Sequence, residues 1–106
     1  ALAGACEAFA YARASGLDVE KVFAAISEGA AGSFQMSKVA VNALQGNFAP
    51  GFMLKHFVKD LRISAETGES YGLQMPVLRQ VLAETASLEE QGLGAEGTQS
   101  LLKYYR

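Results

Sequence analysis

Apolar residues recur along the chain at helical spacing, and no stretch alternates apolar and polar residues long enough to make a strand. Leu2, Cys6 and Phe9 follow an i, i+4, i+7 rhythm that predicts a first helix from the start of the chain to about Ala14, stopped at Ser15-Gly16. Asp18 is placed to cap a second helix with the stripe Val19, Val22, Phe23 and Ile26, ended by Gly29. Ser33 is placed to cap a third, with Met36, Val39, Ala40, Ala43 and Leu44 on one face. The stretch "QGNFAPG" breaks the pattern. A fourth helix is predicted from near Phe52 to about Tyr71, its stripe Leu54, Phe57, Val58, Leu61 and Ala65. Gly68 weakens it by about 1 kcal/mol relative to Ala. Pro76 sits where the first turn of a fifth helix places it, and "YGLQMP" before it reads as a loop with Met75 against the core. Leu78, Val81, Leu82, Thr85 and Leu88 continue that helix until Gly92 and Gly94 close it. A short sixth, "TQSLLKYYR", turns Leu101, Leu102 and Tyr105 inward. Six helices with short joins predict an all-α bundle.

Composition narrows the function classes. The chain has 106 residues, enough for one small domain, and is 50% hydrophobic with a net charge of −2. No basic excess points to nucleic acid or to a membrane surface, and no apolar run is long enough to span a bilayer. A single cysteine, Cys6, excludes an internal disulfide and fits a reducing, cytoplasmic compartment. The chain opens on Ala1 without a methionine or an N-cap, as though it enters in mid-helix, so it is expected to be a fragment of a larger protein.

Little of the sequence suggests chemistry. One His and one Cys cannot build a Cys/His metal site. Cys6 reads as a small core hydrophobe and His56 as a half-buried helix residue. Glu84, Glu89 and Glu90 read as a solvated flank, and Tyr104-Tyr105 as packing or an interface. No Gly-rich phosphate loop is present. The exception is "PGFMLKHFVKDL", residues 50–61. In the predicted helix Lys59 shares a face with Lys55 and Arg62, and Asp60 shares a neighbouring face with Ile63 and Ser64. Either these charges snorkel from the edge of a buried helix, or Lys59 and Asp60 line a cleft. In the second case the ammonium donates to a carboxylate, ribose hydroxyl or amide oxygen, and Phe52, two helical turns before Asp60, adds an apolar wall.

"GNFAPGFMLKHFVKDL", followed by "YGLQMPV" and "GLGAEGTQSLLKYY", resembles the β-hydroxyacid dehydrogenase family, whose members include 3-hydroxyisobutyrate dehydrogenase and tartronate semialdehyde reductase. The likeness extends to "EAFAYARASGLDVEKVFAAISEGAAGSF" and so covers essentially the whole chain. It implies that residues 1–106 are a single all-α C-terminal domain resembling that of 6-phosphogluconate dehydrogenase, without the N-terminal Rossmann domain that binds NAD or NADP. It further implies that Lys59 reaches the cofactor from the helical side, and that Phe52 and Asp60 help form the pocket for a small hydroxy acid or semialdehyde. A homo-oligomer is implied as well. The family's catalytic lysine lies in a Gly-x-x-x-Lys-x-x-x-Asn pattern that this chain lacks, so no catalytic residue is expected here and the chain alone is expected to be inactive. The alternative is a non-catalytic helical dimerisation module.

Overall fold

The computed structural model describes residues 1–105. It is mostly helical, and the described residues contain no strand. They form two compact groups: Ala1–Phe48 with the C-terminal residues from Gln99, and Ala49–Thr98.

In the first group α1 spans Leu2–Ala14. Leu2, Ala5, Cys6, Phe9 and Ala12 are buried, the i, i+3, i+4, i+7 spacing of one helix face. Gly16 ends it in the left-handed region at φ 77°, where a Cβ would be strained. Its N–H donates to the Arg13 carbonyl, and that of Leu17 to the Ala12 carbonyl, so the last carbonyls of the helix are satisfied. The second helix, α2, spans Val19–Ile26. The Asp18 carboxylate accepts from the backbone N–H groups of Glu20 and Lys21, as the sequence predicts. Phe23 on α2 meets Phe9 of α1 edge-on, with ring centroids 6.0 Å apart. The chain then doubles back so tightly that a Cβ on Gly32 would collide with the Ser27 carbonyl oxygen. Ser33 caps the next element through its Oγ, which accepts from the Met36 N–H at 3.0 Å.

That element departs from expectation. Gln35–Ala40 is a π-helical stretch, and only Val41–Leu44, α3, is α-helical. Met36, Ala40 and Ala43 are still buried, because the wider turn reorients the face without removing it. The C-terminal element Thr98–Tyr105 is a 3₁₀ helix rather than an α-helix. Leu101 and Leu102 are buried and Tyr105 is half-buried. Lys103 places its ammonium 4.1 Å above the centre of the Phe48 ring.

The second group is built on α4, Leu54–Ser70, packed against α5, Pro76–Leu88. Leu54, Val58, Ala65 and Gly68 form the buried side of α4. Gly68 is a packing residue as well as a weak point: a Cβ there would lie 2.8 Å from the Met75 Cε methyl. Beyond α5 the residues Glu89–Leu93 widen into a π-helical turn broken at Gly92, φ 91°. Glu84 corrects the sequence reading. It is only 5% exposed, and its carboxylate accepts from the Gln80 side-chain amide at 3.0 Å.

Candidate functional site

The start of α4 lies two residues later than predicted. Met53 is extended (φ −73°, ψ 141°) and offers no side-chain cap. Backbone carbonyls of the loop after α5 take that role. The Leu54 N–H donates to Glu96 and the Lys55 N–H to Gly94, at 2.8 and 2.9 Å. The Thr98 N–H closes the set on the Phe52 carbonyl at 3.0 Å, beside an isolated antiparallel bridge between Met53 and Gly97. The orphan donors of the first turn are thereby satisfied, and the Phe52–Met53 segment is held by its backbone. Gly94 fits under Lys55 with little to spare, since an added Cβ would lie 3.3 Å from the Lys55 Cβ.

Because Phe52 precedes the helix, counting helical turns does not place it beside Asp60. Its ring lies instead near His56, with centroids 6.1 Å apart and planes tilted by 48°. His56 is one turn before Lys59 and Asp60. From there the helical repeat runs on to Ile63, directly opposite the buried line of Leu54, Val58 and Ala65. The structure thus puts His56, Lys59, Asp60 and Ile63 on the outer face of one helix, with Phe52 beside His56. His56 is exposed, not half-buried.

That face is unusual for a solvated flank. Phe52 and Ile63 are large apolar side chains, 48% and 54% exposed. Lys59 and Asp60 are exposed too, and among the described residues neither is engaged by an ion pair. The snorkelling reading requires Lys59 and Asp60 to edge a buried face; both lie on the side away from it. Lys55 and Arg62 flank this face.

A second feature lies elsewhere among the described residues. A depression of about 410 Å³ lined by Glu69, Gly72, Leu73, Gln74 and Arg79 lies at the far end of α4, and neither Phe52 nor any of the four face residues lines it. Its Arg79–Glu69 pair is solvent-exposed at 3.6 Å and holds little energy. Among the described residues no cluster of His, Cys, Asp or Glu could hold a metal ion, and no helix is long and apolar enough to cross a membrane.

Residues 1–105 match the family described as NAD-binding of NADP-dependent 3-hydroxyisobutyrate dehydrogenase. The chain belongs to this family. Relatives include the uncharacterised oxidoreductase YkwC of Bacillus subtilis, 46% identical over 96% of this chain and 35% of that protein. The probable 3-hydroxyisobutyrate dehydrogenase-like 1 of Arabidopsis thaliana is 42% identical over 93% of this chain and 30% of its own length. The crystal structure of a 3-hydroxyisobutyrate dehydrogenase from Salmonella typhimurium superposes with a TM-score of 0.91 at 24% identity, over 96% of this chain and 36% of that one. The all-α fold is therefore one that a 3-hydroxyisobutyrate dehydrogenase contains. The chain spans about a third of the length of these family relatives.

Proposed function

We propose that the chain is the helical, cleft-forming part of an NAD(P)-dependent oxidoreductase that interconverts a small β-hydroxy acid and its semialdehyde. The observation carrying this reading is the outer face of α4. An exposed Phe and Ile flanking an unpaired Lys–Asp couple suits a wall that another part of the protein closes over. The Gly-rich turn that would grip most of the cofactor is absent from this sequence, so Lys59 supplies a single contact from the helical side. A compact ammonium with three donors, uncommitted to any described carboxylate, fits a phosphate, ribose or amide oxygen. The chemistry that such a cofactor would supply when bound is hydride transfer. Asp60 accepts from a hydroxyl of the substrate and Phe52 covers its apolar side. The lysine that moves the hydroxyl proton lies in a part of the protein outside these residues, so this chain alone turns nothing over.

The test uses the full-length protein. Loss of a charge-assisted hydrogen bond is worth about 1.5–3 kcal/mol, roughly 10- to 150-fold in affinity. Lys59→Ala therefore raises the KM for the cofactor by that factor while kcat persists, and Asp60→Asn raises the KM for the acid. Unchanged constants in both variants would make the face plain scaffold and favour the dimerisation module. A subunit contact is supported by the exposed Tyr71, Leu73 and Val77 around the α4–α5 turn, and analytical ultracentrifugation of a Val77→Asp variant tests it.

A further inference from the structure

The outer face of α4 carries one polar group more than these roles use. His56 stands between Phe52 and the Lys59–Asp60 couple, its ring against the Phe52 ring. It is exposed, and among the described residues its imidazole makes neither a hydrogen bond nor an ion pair. Phe52 and Ile63 by themselves would make a greasy wall suited to an alkyl substituent. The imidazole adds an N–H donor to it, and Asp60, four residues on, adds a carboxylate on the same side. Once water is excluded, an alkyl group against His56 would leave that N–H unpaired. A hydroxyl placed there accepts from His56 and donates its own proton to Asp60, so neither the N–H nor the hydroxyl is left unpaired.

We infer that His56 is a specificity-determining residue of this site, which selects small hydroxy acids bearing a further hydroxyl over those bearing a methyl group in its place. The inference rests on the reading of α4 as a substrate wall. It uses no charge on the imidazole and no chemical step. The residue touches the substituent and leaves the reacting carbon to other groups.

Glycerate and 3-hydroxy-2-methylpropanoate test it, because both are β-hydroxy acids and they differ only in a hydroxyl or a methyl on the middle carbon. The full-length enzyme and its His56→Phe and His56→Gln variants are assayed with both acids and with saturating NAD or NADP. In His56→Phe the ratio of kcat/KM for glycerate over the methyl acid falls by about tenfold or more, chiefly through the KM for glycerate. The KM for the cofactor stays unchanged. In His56→Gln, which keeps a donor and an acceptor, the ratio stays within about threefold of the wild type. A ratio unmoved in His56→Phe overturns the role of His56 and leaves the proposed function standing. So does an equal fall in both variants, which would mark a purely structural residue. A wild-type enzyme that oxidises neither acid with either cofactor overturns the proposed function, and the inference with it.

Discussion

Leu54 and Ile63 carry isomeric side chains on opposite sides of one helix, and the structure assigns them very different energies. Leu54 is fully buried at the start of α4, where its backbone N–H is also held by the Glu96 carbonyl. Ile63 is 54% exposed on the outer face. Truncating Leu54 to Ala removes the transfer free energy of the lost carbons and leaves a cavity, a loss of about 3–5 kcal/mol. Truncating Ile63 to Ala loses the little burial it has, and the better helix propensity of Ala returns about 0.4 kcal/mol, so the net change is within about 0.5 kcal/mol. The expected difference is about 3 kcal/mol, a large share of the roughly 5–15 kcal/mol by which a small domain is stable. Urea titration of the 106-residue chain, read by far-UV circular dichroism and fitted with a common slope, measures it. A loss below about 1.5 kcal/mol for Leu54→Ala, or above about 1.5 kcal/mol for Ile63→Ala, would refute the assignment of the two faces. The second result would also show that Ile63 is already covered, and would remove the free wall on which both functional proposals stand.

Two further stability changes follow from local geometry. Asp18→Ala deletes the cap that holds the Glu20 and Lys21 N–H groups, and is expected to cost about 1 kcal/mol, seen as a fall in Tm of roughly 4–8 °C in a thermal scan. Gly32→Ala forces a Cβ onto the Ser27 carbonyl, where only backbone can yield, so a loss of about 2 kcal/mol or more is expected in the same scan. Gly68→Ala is expected to be milder than Gly32→Ala, because the obstacle is the tip of the flexible Met75 side chain and the gain in helix propensity, about 1 kcal/mol, opposes the clash.

Much of this architecture is legible in the sequence because its causes are local. Ser15-Gly16, Asp18, Ser33 and Pro76 mark helix ends through short-range hydrogen bonds and fixed dihedrals, and each stands where it was expected. The apolar stripe of α1 and the Leu54, Val58 and Ala65 positions of α4 are buried, with Phe57 and Leu61 half-buried, because a 3.6-residue repeat permits one such face. The sequence pattern also singled out Lys59 and Asp60 as candidates, and the family resemblance, which rests on the order of several short elements, added Phe52.

Other features depend on groups far apart in the chain. The π-helical turn at Gln35–Ala40 carries no local signal, because propensities for wide and normal turns hardly differ and packing selects between them. Glu84 looks like a surface carboxylate in sequence and is buried, since burial depends on what covers a residue. Gly68 reads as a flaw until the Met75 methyl is seen in its place. The start of α4 is set by carbonyls more than 35 residues downstream, and this is why Phe52 falls outside the helix yet meets His56. By itself, then, the sequence determined the helix ends at Gly16, Asp18, Ser33 and Pro76 and the apolar sides of α1 and α4, through interactions spanning a few residues. Tertiary structure alone decided which polar and apolar side chains share one exposed face, because that depends on how distant backbone closes around the first turn of α4.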